Sequence, residues 1–150
     1  FGNLSTITFP SNPDFNFGYV LSCEVMIKPH TSINSIPLLL GAFGLGTNST
    51  GDVIFTYSTY EDEMTGMNLT LDEWNHVVVV KAYQKSFFYL NGEFIDEVIG
   101  NIYSFSQAIF NIGDDTLNND FSIPFVRVYK SFLTADQVSQ NYEATSLKYS

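Results

Sequence analysis

Apolar and polar residues alternate along this chain in short runs. In Leu21–Ile27 the period is two: Leu21, Cys23, Val25 and Ile27 fall on one face, with Ser22, Glu24 and Met26 on the other. Val77–Val80 is apolar at every position, as expected of a strand covered on both sides. Runs of this kind predict strands at Leu4–Phe9, Tyr19–Lys28, Ile36–Phe43, Asp52–Tyr57, Asn75–Ala82, Ser86–Asn91, Glu93–Val98, Ile109–Gly113 and Ser122–Tyr129. Turn formers separate them at Ser11-Asn12-Pro13-Asp14, Lys28-Pro29-His30, Gly44–Gly51, Asn91-Gly92, Gly100-Asn101 and Gly113–Asp120. Short strands at regular spacing, with turns between them, are the mark of an all-β sandwich or barrel. Asn91-Gly92 is the clearest hairpin, because both central residues of a type I′ turn need positive φ and these two tolerate it best.

A single helix is predicted, and it comes last. Thr134 and Gln137 form a capping box, Asp136 suits the first turn, and Leu133 and Val138 have the spacing of a hydrophobic staple. Val138 and Tyr142 continue as an apolar stripe on a helix expected to end near Ala144.

The chain has 150 residues, 45% of them hydrophobic and 24 aromatic (14 Phe, 9 Tyr, 1 Trp), which excludes a disordered chain and suits one domain over residues 1–150. No apolar run approaches the roughly 20 residues that span a bilayer. Six Lys and Arg against 16 Asp and Glu give a net charge of −10. So acidic a surface repels phosphate backbones and anionic headgroups, which argues against nucleic acid and direct membrane insertion. Cys23 is the one cysteine, so no intrachain disulfide forms, and its strand setting predicts a buried thiol. The start at Phe1, with no leader pattern, is expected of a processed chain or a piece of a larger one. Asn3, Asn48 and Asn68 begin glycosylation sequons, which are too common in an Asn-rich chain to establish secretion.

Four segments together carry a family resemblance. Trp74-Asn75-His76 followed by Val77–Val80, and then Tyr89-Leu90-Asn91-Gly92, resemble the W-x-H and Y-x-N-G signature of laminin-G-like domains. Glu24–Pro29 is similar to their W-V-K-P strand, with Met26 where Trp is usual, and Phe125–Val138 is similar to their closing strand and helix start. The resemblance spans nearly the whole chain. It implies a two-sheet antiparallel jelly-roll sandwich of the concanavalin A-like type, in a secreted or surface protein. Within that fold, Trp74 is expected to fill a large core volume beside its strand, and His76 to hydrogen-bond a loop.

Catalytic chemistry finds little support. Glucanases of this superfamily carry E-x-D-x-E on one strand, and retaining hydrolysis needs two carboxyls roughly 5 Å apart on one face. In Glu93-Phe94-Ile95-Asp96-Glu97 the outer pair lies about 13 Å apart at strand rise, and Asp96 points to the opposite face. Glu61-Asp62-Glu63 reads as a solvated loop cluster. Gly46–Gly51 is one residue too long for a nucleophile elbow and has no helix after it. Calcium is the one cofactor with a case, at Asp114, Asp115 and Asp120 in an oxygen-rich loop. The family's G-x-I-D segment reads Ser122-Ile123-Pro124-Phe125 here, without its Asp. The expected function is therefore a non-catalytic binding or adhesion module for glycan or glycoprotein, with Tyr57, Tyr60 and Tyr103 as candidate ligand-stacking aromatics. The alternative is a structural building block of a filament, capsid or appendage that packs against neighbouring subunits.

Overall fold

A computed structural model describes residues 7–10, 12–30, 35–40, 43–47, 52–57, 62–100, 110–113 and 120–149. In chain order the strands are β1 (Ile7–Phe9), β2 (Val20–Pro29), β3 (Ser35–Leu40), β4 (Phe43–Thr47), β5 (Asp52–Tyr57), β6 (Asp62–Asn68), β7 (Asn75–Ala82), β8 (Lys85–Leu90), β9 (Glu93–Ile99), β10 (Phe110–Ile112) and β11 (Phe121–Tyr129). A short 3-10 turn, Pro13–Phe15, precedes β2, and the helix α1 (Ala135–Tyr149) closes the chain. One sheet runs β1-β10-β3-β4-β5-β6 and the other β11-β2-β7-β8-β9, with each of these neighbours antiparallel. This is the two-sheet jelly-roll sandwich the sequence predicts.

The sandwich core follows from the period-two pattern. Leu21, Cys23, Val25 and Ile27 of β2 and Val77 and Val79 of β7 meet Leu45, Val53 and Met67 of the facing sheet, with Phe88 and Phe121 completing the cluster. Burial, helped by the charge of Glu24, pushes the Cys23 thiol up to about 12 and leaves it an inert part of this core.

Both faces of β2 and β7 are buried, because α1 lies across the outer face of the five-stranded sheet. Val78, Val80 and Tyr89 pack there against Leu133 and Val138. The polar face of β2 is thus covered as well: Ser22, Glu24 and Met26 are all buried. Ser22 is satisfied at the helix approach, its hydroxyl donating to the Ser131 carbonyl (2.7 Å) and accepting from the Leu133 N–H (3.0 Å).

Three boundaries differ from the sequence expectation. Phe43–Thr47 forms β4 although its two glycines resemble a turn, since Leu45 and Thr47 alternate inward. Asp62 and Glu63, expected in a loop, belong to β6, where they register against Thr56 and Phe55; inward Thr65 and Met67 hold this edge strand despite its acids. Helix α1 runs on to Tyr149, five residues beyond the expected Ala144.

Candidate functional site

The site is built around the seam where α1 meets the five-stranded sheet. At its centre Glu24 is a fully buried carboxylate on β2, directly opposite Arg127 of β11. Its Oε1 accepts from Arg127 Nη1 (2.7 Å) and His76 Nε2 (3.0 Å), and its Oε2 accepts from the Tyr129 hydroxyl (2.7 Å) and Asn141 Nδ2 (3.0 Å). Burial alone would raise this carboxyl, but the hydrogen bonds from His76 and Tyr129 and the charges of His76 and Arg127 outweigh it and hold Glu24 below the usual carboxylate range. Tyr129 is pushed the other way, up to about 12, by burial and by its bond to Glu24. His76 meets the expectation of a loop bond through its backbone, its N–H donating to Asn91 Oδ1 (2.9 Å) and its carbonyl accepting from the Asn91 N–H (2.8 Å), while its ring is a buried partner of Glu24. Its ring also lies 5.7 Å from Tyr142 of α1. Asn141 belongs to α1, so this cluster fastens the helix to the sheet.

Beside the cluster, at the C-terminal end of α1, opens a cleft of about 570 Å³. Its floor is Met26 and Lys28 from β2. One wall is Tyr142, Ser146 and Tyr149, whose spacing of four and three puts them on one helix face, with Lys148 at the lip. The other wall is Asp72, Glu73 and Trp74 from the connection between β6 and β7. That connection is held by hydrogen bonds. The Asn75 amide donates to the Thr70 and Glu73 carbonyls (2.9 and 2.8 Å) and accepts from the Thr70 N–H (3.0 Å). The Asp72 N–H donates to the Pro29 carbonyl (2.8 Å), and the Asp72 carboxylate meets His30 Nδ1 at 3.2 Å. His30 Nε2 in turn meets the Ser122 hydroxyl (3.0 Å).

Trp74 is only half-buried, which corrects the expectation of a core residue. Its ring centroid is 5.2 Å from that of Tyr149, with the planes tilted by 52°. The pair forms an angled aromatic corner with polar groups around it: two lysines, a serine hydroxyl and two carboxylates. Asp72 and Glu73 are both exposed, the reverse of the desolvated setting that makes a carboxyl a general acid.

Among the residues expected from sequence, Tyr57 ends β5 in register with Phe43, and Tyr60, Tyr103, Asp114 and Asp115 lie outside the described residues. Asp120 is exposed just before β11, and its carbonyl accepts the His30 N–H (2.8 Å). Among the described residues, no group of three or more His, Cys, Asp or Glu is placed to hold a metal ion. The sequence reading placed Tyr142 on the helix stripe but missed Lys148 and Tyr149, because it ended α1 near Ala144. The signal was present: Val138, Tyr142, Thr145 and Tyr149 recur at helical spacing.

The family model Laminin_G_3, of the concanavalin A-like lectin/glucanases superfamily, matches residues 1–139. No curated protein sequence matches the chain significantly. Among solved structures, the chain is similar to the binding domain of Paraclostridial Mosquitocidal Protein 1, at 15% identity and a TM-score of 0.75, over 93% of this chain and 41% of that one. It is similar to Trypanosoma rangeli sialidase in complex with 2,3-difluoro-KDN, at 14% identity and 0.78, over 97% of this chain and 27% of that one. It is also similar to domain 4 of an extracellular arabinanase from Geobacillus stearothermophilus in complex with arabinotriose, at 17% identity and 0.67, over 90% of this chain and 71% of that one. The chain thus spans less than half the length of the first two.

Proposed function

Because the chain belongs to the Laminin_G_3 family of the concanavalin A-like superfamily, we propose that it is a non-catalytic, carbohydrate-binding module of a secreted or surface protein, with its ligand seated against Trp74 and Tyr149. The observation that carries this reading is the angled aromatic corner in a cleft of about 570 Å³. A sugar ring offers an apolar face to an aromatic and hydroxyls to the groups beside it, and the cleft has both kinds of partner. That the arabinanase domain, of like fold, was solved with arabinotriose supports the ligand class. The exposure of Asp72 and Glu73 supports binding without bond cleavage. Tyr57, Tyr60 and Tyr103 are a second set of stacking residues, to be compared in the same experiment.

A glycan array followed by calorimetric titration tests the proposal. Binding is expected in the micromolar-to-millimolar range, and Trp74→Ala or Tyr149→Ala should each weaken it about tenfold or more, or about 1.4 kcal/mol. Trp74→Ala should keep its fold, costing less than the roughly 3–5 kcal/mol of a fully buried aromatic. If binding is lost on replacing Tyr57, Tyr60 or Tyr103 and retained in Trp74→Ala, the site lies elsewhere. Release of reducing sugar by the purified chain would overturn the non-catalytic reading. A blank array with clear self-association in ultracentrifugation would replace it with the structural building block.

A further inference from the structure

The distribution of positive charge is uneven. The chain has six basic residues against 16 acidic ones, yet Lys28, Arg127 and Lys148 all line the two depressions on either side of Tyr149. Among the described residues, neither Lys28 nor Lys148 takes part in an ion pair. In the cleft described above, Asp72 and Glu73 offset its two lysines. The second depression, of about 310 Å³ between α1 and β11, is different: Phe125, Arg127, Tyr129, Thr145 and Lys148 line it, and among the described residues no carboxylate does.

Glu24, beneath it, is fully buried and pairs with Arg127, so these two charges offset each other: Lys148 supplies the uncompensated charge, and Arg127 supplies hydrogen-bond donors. Arg127 is engaged there through Nη1, while its side chain is 44% exposed and its guanidinium carbon lies 4.1 Å from the centroid of the Phe125 ring. A guanidinium has five N–H donors in a planar fork, so most remain for a second anion, and a stacked guanidinium is held in place to receive one. Lys148 adds a second cation from the lip. The negative end of the α1 dipole draws Lys148 towards its position, but it accounts for neither the exposed fork of Arg127 nor the placement of Lys28 on β2.

Tyr149 stands between the depressions, its ring 5.2 Å from Trp74 on one side and 6.2 Å from Phe125 on the other. We infer that the ligand is an acidic saccharide: one sugar ring packs in the Trp74–Tyr149 corner, and an attached carboxylate or sulfate reaches past Tyr149 to Arg127 and Lys148. This rests on the cleft being the carbohydrate site proposed above.

The test uses the full chain and an array bearing carboxylated, sulfated and uncharged versions of the same saccharide backbones, with titration of the best binders. At about 0.05 M salt the acidic versions should bind about tenfold tighter than their uncharged counterparts, and the advantage should shrink at about 0.5 M salt, where the screening length is only a few ångströms. Lys148→Gln, an exposed change, should erase most of the advantage, weakening the acidic versions far more than the uncharged ones. Arg127→Lys keeps a cation beside Glu24 but loses the fork, so it should weaken the acidic versions, the carboxylated ones most. Equal binding of charged and uncharged versions, abolished by Trp74→Ala, would overturn the acidic ligand while leaving the carbohydrate site standing. An acid preference that survives both Lys148→Gln and Arg127→Lys would overturn the placement at Arg127 and Lys148. Binding of no saccharide at all would overturn this inference together with the reading it rests on.

Discussion

A fully buried carboxylate is tolerated at Glu24 because each oxygen receives two donors. Glu24→Gln should cost on the order of 3 kcal/mol, since an amide cannot accept from all four partners. Denaturation midpoints measured against pH add a sign. Glu24 sits below its unfolded value, so the stabilisation is present above the ordinary carboxylate range and lost as pH falls below that range through the lowered value. Tyr129 sits above its unfolded value of 10.0, so its contribution is present below that pH and lost as pH rises towards about 12. Glu24→Gln should flatten the acid limb of that profile; an unchanged limb would show that other carboxylates set it. The hairpin glycine carries a second residue-scale prediction. Asn91 and Gly92 have φ of 51° and 83°, as the type I′ turn requires, and a Cβ at Gly92 would lie 2.8 Å from the Tyr142 ring. Gly92→Val therefore meets two penalties, backbone strain and a clash with α1, and should cost about 2–4 kcal/mol by chemical denaturation. A loss under about 1 kcal/mol would mean that α1 shifts freely.

Helix α1 shows how a local signal and a tertiary contact combine. Gln137 Oε1 accepts the Thr134 N–H (2.9 Å) and the Gln137 N–H donates to Thr134 Oγ1 (3.3 Å), so the capping box read from sequence is formed. Thr134→Ala should cost about 1 kcal/mol, read as a lowered denaturation midpoint, with faster amide exchange confined to the first turn of α1. The hairpin, the strand alternation and this cap were legible because each is set by neighbours in sequence. Strands β4 and β6 were not: Gly44 and Gly46 mimic a turn and Asp62 and Glu63 mimic a loop, and only pairing with their neighbours, β3 and β5 for β4 and β5 for β6, makes them strands. The binding corner escaped notice for a similar reason. Trp74 reads as core until Tyr149, 75 residues later, is seen to cover one side of it and leave the other open.

At the scale of the molecule, a sandwich with net charge −10 needs its exposed edges protected. Strand β9, at one edge of its sheet, exposes Phe94 and Ile99 but intersperses them with Glu93, Asp96 and Glu97, acids that discourage strand addition by a second copy. The same acidity bears on calcium, which we propose for Asp114, Asp115 and Asp120. Calcium at tenfold above its dissociation constant should stabilise the fold by about 1.4 kcal/mol, raising Tm by a few degrees, and EDTA should reverse the shift. An unmoved Tm would remove calcium from the account. The bond from the His30 N–H to the Asp120 carbonyl, and that from His30 Nε2 to Ser122, tie this segment to Asp72 at the wall of the cleft.

The chain has a single tryptophan, and it is Trp74. Its indole therefore serves as a built-in optical probe. Emission excited at the red edge comes from this one ring, against which Tyr149 lies while α1 is docked. A sugar settling in the corner displaces water from the indole and should blue-shift its emission, while detachment of the helix should shift it to the red. Occupancy and latching can then be followed separately, in unlabelled protein, from the colour of the emitted light.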